Sequence, residues 1–307
     1  MRSFWKVVVN RVLVTGGSGF LGRRLQKHQP QWTYVSSRDC DLTKPNKVRE
    51  LIGDHKPEAV VHLAAHVGGI KDNTEHQAEY FYKNVMINSN LIHEAHLLGV
   101  RRILSSLSTC AFPDKVRKYP FTEEQFFEGP PAKTNFSYGF SKRMLHVQSM
   151  SYREQYGRNY STFCPSNLYG PGDHYDSEKS HFVPAIISKV ARSLDGDTIE
   201  LWGTGKPLRQ QLYVDDLCLI IPILLEKHNT NSPLIIAPPE NLSILEMAEK
   251  VVAYSKKRVK LMFNGKLDGQ VRKDGSNKRM MNLVNNFKFT SFDKGVKKAY
   301  KWYLENR

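Results

Sequence analysis

The stretch from Val7 to Gly22 constrains the fold more than any other part of this chain. An apolar, β-branched run from Val7 to Val14 leads into Thr15, Gly16, Gly17, Ser18, Gly19, Phe20, Leu21 and Gly22. The run reads as a strand, the glycines as a tight turn, and residues from about 20 to 28 as a helix. Glycines at 16, 19 and 22 let a backbone approach a pyrophosphate closely, and the helix N-terminus offers N–H donors and a favourable dipole. A tight turn holding nothing is the alternative, and the placement between strand and helix argues against it.

The same alternation continues down the chain. Strands are expected at 33–36, 59–63, 102–107 and 160–164, and helices at about 45–54, 74–98 (stopped by Gly99) and 139–156 (ended by Gly157). Strands joined by helical crossovers imply an α/β fold, a doubly wound parallel sheet of the Rossmann kind. Beyond about residue 166 the rhythm loosens. Loops around 169–173 and 202–207 separate helices near 182–194, 216–227 and 243–256. The expected division is a nucleotide-binding domain over 1–165, rejoined by about 210–235, and a smaller C-terminal α/β substrate-binding region over 166–307.

Composition narrows the function. No apolar run approaches the roughly 18–20 residues of a membrane helix. The first residues lead straight into a strand-like run with no signal-peptide pattern. Cys40, Cys110, Cys164 and Cys218 form no CxxC pair, which favours reduced thiols, a cytoplasmic protein and no metal. The net charge is +15, and residues 251–307 hold 15 Lys or Arg against four Asp or Glu. That segment reads as a solvated basic face, as a field drawing in an anionic small molecule, or as a nucleic-acid footprint. RNA-binding aromatic signatures are absent, so no nucleic acid is expected.

The end of the second strand bears on the cofactor. An Asp or Glu placed there would hold a ribose 2′-hydroxyl. This chain has Ser36, Ser37 and then Arg38, whose guanidinium suits a 2′-phosphate. NADP(H) is therefore expected, with Arg38 as its main contact and Asp41 at the adenine edge; an arginine making no special contact is the alternative.

Proton transfer centres on Ser108 and Cys110, after the fourth strand, and on Tyr138 and Lys142. A second tyrosine–lysine pair, Tyr175 and Lys179, falls in a loop. Tyr138 opens a helix, so the i, i+4 spacing puts it on one face with Lys142, whose ammonium can lower the tyrosine pKa. Cys110 and His181 are ambiguous on local grounds, since a buried structural cysteine and a packed histidine are common. A thiol two residues from the serine nevertheless hints at a second reaction in the pocket, one that takes a proton from carbon.

These residues resemble the extended short-chain dehydrogenase/reductases and, within them, the GDP-L-fucose synthase family. The likeness is carried by residues 14–19, 35–37, 62–65, 67–69, 107–110, 112–114, 138–142, 167–171 and 202–205. The resemblance implies NADPH-dependent 3,5-epimerisation and 4-keto reduction of GDP-4-keto-6-deoxy-D-mannose to GDP-L-fucose. It implies that Ser108, Tyr138 and Lys142 reduce the ketone, and that Cys110 and His181 exchange protons at C3 and C5. Ala64, Ala65, Pro165, Ser166, Asn167, Leu168, Lys142 and His181 would join residues 16–22 around the cofactor. Lys189, Trp202, Arg209 and Asp268 would hold the GDP-sugar, and the helices at about 74–98 and 139–156 would form a homodimer. The chain departs from the family at Ala237, Pro238, Pro239 and Glu240, where a small glycine-containing segment is usual, and in a long leader before Val12. The alternatives are a nucleotide-sugar 4-reductase without epimerisation and a non-catalytic NADPH- or RNA-binding protein.

Overall fold

The computed structural model describes residues 11–176, 180–266, 268 and 270–307; the leader and Lys179 therefore lie outside the described residues, the leader apart from Arg11. The first half alternates as β1 (Val12–Thr15), α1 (Phe20–His28), β2 (Thr33–Val35), α2 (Pro45–His55), β3 (Ala59–His62), α3 (Ile70–Glu75), α4 (Gln77–Leu97), β4 (Arg102–Ser106), α5 (Phe136–Tyr156) and β5 (Asn159–Pro165). The second half comprises β6 (Asn167–Tyr169), α6 (Phe182–Arg192), β7 (Thr198–Leu201), β8 (Leu208–Arg209), β9 (Gln211–Tyr213), α7 (Val214–Lys227) and β10 (Leu234–Ile236). It ends with β11 (Leu242–Ser243), α8 (Ile244–Ser255), β12 (Lys260–Phe263), β13 (Arg272–Lys273), α9 (Lys278–Val284) and α10 (Phe292–Asn306).

Six strands form one parallel sheet in the order β10-β5-β4-β3-β1-β2. The order reverses direction between β1 and β3, and a crevice at such a switch point, outside the strand C-termini, is where open α/β sheets bind ligands. Both faces are covered, which is why these strands read as near-continuous apolar runs. Leu13, Val60 and Ile103 face α2, α4 and α5 through Val48, Ile52, Leu91, Ile92 and Leu145. Their neighbours Val12, Val14, Val61 and Leu104 face α1 and α7 through Leu25, Leu217, Ile221 and Leu224.

A third core lies beside the sheet. Ile186, Ile187 and Val190 of α6 meet Met247, Ala248 and Val251 of α8 and Val296, Ala299, Tyr300 and Tyr303 of α10. The stretch expected as one helix over 74–98 is two, because the backbone leaves helical geometry at His76 (φ −121°, ψ 38°). Helices α9 and α10 are not among the expected elements, whereas β10 falls at the late strand that the resemblance implies before Ala237.

Three buried histidines make this fold sensitive to acid. His62, His146 and His228 are no more than 3% exposed. His62 hydrogen-bonds Thr15 Oγ1 (2.7 Å) and Asn88 Oδ1 (3.0 Å), while His146 and His228 hold the hydroxyl (2.8 Å) and carbonyl (2.9 Å) of Thr162. Burial pushes their pKa values down to about 3, 4 and 4 respectively. Between about pH 6.5 and 4 the unfolded chain therefore binds protons that the folded one refuses, and stability is lost as pH falls. The three together contribute at most about 4 kcal/mol per pH unit in that window. The urea midpoint should drop markedly from pH 7 to pH 5; a midpoint that stays put over this range would show that these histidines do not stay neutral in the fold.

Candidate active site

The turn after β1 is built by close approach. Gly16 has φ +77°, and a Cβ there would lie 2.8 Å from the backbone nitrogen of Ala64, while one on Gly22 would overlap the Gly16 carbonyl oxygen. The glycine turn thus lies against the start of the segment after β3, bringing Gly16 beside Ala64 and its neighbour Ala65. Helix α1 starts at Phe20 with no side chain capping it and no acidic residue in its first turn. An uncapped helix N-terminus behind a side-chain-free cradle fits a pyrophosphate. Arg23 ties the turn to a distant loop by donating to the carbonyls of Ser18 and Gly172.

At the end of β2, the Asp39 carboxylate accepts both the amide and the hydroxyl of Ser36 (2.7 Å each), bonds that hold its pKa below the usual range. Asp41 is similarly engaged with Thr43 (3.0 and 2.7 Å). Arg38 lies between them with its side chain exposed. Pro165 to Leu168 continue from the C-terminal end of β5, fastened by the Ser166 amide to the Ile236 carbonyl (2.9 Å).

The hydroxyl and amine groups converge where β4 ends. Ser108 caps a short 3₁₀ turn over Thr109–Ala111, its Oγ accepting the Cys110 amide at 3.2 Å. Tyr138 lies in the first turn of α5, within reach of the Ser108 side chain. Lys142, one turn later and 2% exposed, donates to the Ser106 carbonyl (2.9 Å) with its ammonium 5.9 Å from the centre of the Tyr138 ring. The helix can come this close because residue 139 is glycine: a Cβ there would sit 2.6 Å from the Cys110 carbonyl oxygen. The expected lowering of the tyrosine pKa is not what the structure shows. Burial and the neighbouring Cys110 and Cys164 thiols drive Tyr138 upward, so its phenol keeps its proton. Burial lowers Lys142 itself to about 8. Tyr175, of the second pair, is tied into its own loop through the Gly170 carbonyl (3.0 Å).

Beside this group lies a residue that motif reasoning missed. Lys273 of β13 places its ammonium 3.3 Å from the Cys110 sulfur. Burial pushes the Cys110 thiol up, but Lys273, Ser108 and Arg209 together outweigh it, and the thiol ends below its ordinary range. His181 stands at the N-cap of α6; its surroundings and Lys273 lower its pKa, favouring neutral imidazole. Nothing in the sequence marks Lys273 except its membership of the basic segment.

Of the remaining candidates, Arg209 lies within electrostatic reach of Cys110, and the others sit on the second half of the chain. Arg209 is part-buried, its guanidinium bonded to the Leu208 carbonyl (2.8 Å) and within electrostatic reach of Asp268 and Cys110. Asp268 accepts the amide and hydroxyl of Thr204 (2.9 and 2.6 Å), fixing the loop that carries Trp202, which is 74% exposed. Lys189 reaches from α6 to the Glu200 carbonyl (2.9 Å) on the strand entering that loop. His28, Cys218 and Asp215 also lie together, but the Asp215 carboxylate is held by Nε and Nη2 of Arg24 (2.6–2.9 Å), an ion pair rather than a cation site.

The model of the NAD dependent epimerase/dehydratase family matches residues 12–237. A GDP-L-fucose synthase of Dictyostelium discoideum is 35% identical over 96% of this chain and 95% of its own length. One from Escherichia coli is 31% identical over 97% of each. The crystal structure of a GDP-L-fucose synthetase from Naegleria fowleri bound to NADP is 30% identical, covers 97% of this chain and 94% of its own, and superposes with a TM-score of 0.88. By the family model and by relatives matching along nearly its whole length, the chain belongs to the NAD dependent epimerase/dehydratase family, in the branch of the GDP-L-fucose synthases.

Proposed function

We propose that this protein converts GDP-4-keto-6-deoxy-D-mannose to GDP-L-fucose by 3,5-epimerisation followed by NADPH-dependent reduction of the 4-keto group. One observation carries the reading: Cys110 and the Ser108–Tyr138–Lys142 group share the same end of the sheet, so groups for carbon-centred and oxygen-centred proton transfer stand side by side. The relatives' names point to the same chemistry.

The residues divide as follows. The turn over Gly16, Gly17, Ser18, Gly19, Phe20, Leu21 and Gly22 would hold the cofactor's pyrophosphate. Arg38 would take the 2′-phosphate and Asp41 the adenine edge. Ala64, Ala65, Lys142, Pro165, Ser166, Asn167, Leu168 and His181 would surround its remaining length. NADPH, when bound, supplies the hydride that reduces C4. Cys110 and His181 take and return protons at C3 and C5, carbons made acidic by the adjacent ketone. The negative charge that then develops on O4 is met by the hydroxyls of Ser108 and Tyr138. Tyr138, which retains its phenolic proton, gives it to O4 as the alcohol forms. Arg209 provides a fork for a phosphate, Trp202 an aromatic surface, and Lys189 and Asp268 further polar contacts for the GDP-sugar.

This reading assigns cofactor binding to residues 1–165, rejoined by about 210–235, and substrate binding to 166–307. Packing of α7 and β10 on the sheet supports that division. We also propose a homodimer through α4 and α5, supported by the exposed Phe81, Tyr82, Val147 and Tyr156 on those helices. A cytoplasmic setting is supported by the four free cysteines.

The decisive experiment follows NADPH absorbance with GDP-4-keto-6-deoxy-D-mannose in deuterated water and weighs the product. Oxidation with deuterium at C3 and C5 is expected; oxidation with no carbon-bound deuterium would reduce the protein to a 4-reductase. Tyr138→Phe should cut turnover by roughly 10²–10⁴-fold while NADPH affinity changes little, and wild-type turnover in that variant would remove the tyrosine from the mechanism. Arg38→Ala should weaken NADPH by about tenfold or more and NADH hardly at all. Equal weakening of both cofactors would end the 2′-phosphate assignment.

A further inference from the structure

The contact between Lys273 and Cys110 (3.3 Å) is unused by the chemistry described so far, and the fold goes to some length to make it. The segment around Lys273 is fastened to three other parts of the chain. Upstream, the Gln270 side chain donates to the Asp114 carbonyl (2.9 Å). Residues 272 and 273 pair in parallel with 208 and 209, so Lys273 lies in register with Arg209. Arg272 grips the buried Asp274 (2.6 and 3.0 Å) and covers the Tyr119 ring (5.1 Å). Downstream, Gly275 exchanges bonds with the Gln210 side chain (2.8 and 3.2 Å), and Ser276 donates to the Phe121 carbonyl (2.8 Å). The backbone on both sides of Lys273 is thus fixed, and only its four-carbon stem is free to adjust. A lysine delivered in this way beside a part-buried sulfur is a built ion-pair site.

We propose that Lys273 is a positioning residue for the proton exchange at carbon: it holds Cys110 as the thiolate, making the sulfur the resting base of the pair it forms with His181. The role rests on Cys110 being that base. An ordinary thiol near 8.5 is only a few per cent thiolate at neutral pH, and it is the thiolate that abstracts a proton. The charged and titratable groups around the sulfur are Lys273, Arg209, Tyr138 and Cys164, with the Ser108 hydroxyl as a hydrogen-bonding neighbour. Among them Lys273 is the cation in direct contact. Its field also reaches His181, where it favours neutral imidazole over imidazolium. The thiolate takes the carbon-bound proton and His181 returns one to the opposite face only after taking up a proton of its own, so the contribution assigned to Lys273 is the thiolate alone. The ketone-reducing set has its own amine, Lys142, bonded to the Ser106 carbonyl rather than to the sulfur, so the two lysines serve different steps.

The test compares wild type, Lys273→Met and Lys273→Arg. The first readout needs no substrate: the pH dependence of alkylation of Cys110 by iodoacetamide, located by mass spectrometry. Cys40, Cys164 and Cys218 are buried and serve as internal controls. In Lys273→Met the midpoint should move up, while Lys273→Arg, which keeps a charge at the same place, should hold it near the wild-type value. The second readout is deuterium uptake at C3 and C5 of the GDP-ketosugar, which should fall by about tenfold or more at neutral pH in the methionine variant, through kcat rather than KM. NADPH affinity reports that each variant is folded. An alkylation midpoint that does not move overturns the proposal, as does a raised KM with unchanged kcat, which would make Lys273 a diphosphate ligand. Arginine failing as completely as methionine would show that charge is not what matters. If Cys110→Ser itself exchanged deuterium at the wild-type rate, both this role and the epimerase reading would fall, whereas an unmoved midpoint removes only the role of Lys273.

Discussion

The site depends on two backbones touching where β1 and β3 part. Gly16 and the amide of Ala64 come so close that no side chain fits between them. This contact is possible only because the sheet reverses its order at that point and leaves both loops on the same rim. The uncapped start of α1, the ends of β4 and β5 and the first turn of α5 are then brought to the same rim by the parallel sheet, since every strand in it points the same way.

Behind that rim runs a line of buried polar contacts that keeps its parts in register. The Thr15 hydroxyl meets His62, His62 meets Asn88 of α4, and Asn88 donates to the Ser141 carbonyl of α5 (3.4 Å). The chain of contacts thus links the residue before the glycine turn to the helix that carries Tyr138 and Lys142. From the other direction, Arg143 of α5 donates to the Ala111 carbonyl (2.6 Å) and so secures the turn holding Cys110. Buried polar groups are costly unless each finds a partner, so this network favours one arrangement of helix and sheet over its neighbours.

The first half of the chain was legible because its physics is local. Val12 to Gly22 carry strand, turn and helix in one continuous pattern, and Gly99 and Gly157 mark the ends of α4 and α5. The resemblance named Cys110, His181, Arg209 and Asp268, whose proximity no spacing could disclose. The second half was harder to read. Strands such as β8 and β13 are two residues long and have no period, and their existence depends on pairing across some sixty positions. Helix α10 does show its pattern, with Phe292, Val296, Ala299, Tyr300 and Tyr303 turned inward. Its lysines 294, 297, 298 and 301 are exposed, so the segment reads as surface charge and its helix goes unseen. Lys273 was hidden by the same excess of lysine, one cation among many until the fold placed it against a sulfur.

The origin of the site residues suggests how two reactions come to share a pocket. The groups proposed for reduction, Ser108, Tyr138 and Lys142, all come from the first half of the chain, within one sheet and the helix laid on it. The groups proposed for carbon chemistry do not. Cys110 belongs to the first half, whereas His181 arrives on α6 and Lys273 on β13. The sheet half alone could therefore present a ketone-reducing set, but its thiol would lack both the cation beside it and a partner base. Epimerisation, on this reading, is a property of the junction between the halves, and the hydrogen bonds that fasten residues 270–277 to 114, 121 and 210 hold that junction closed.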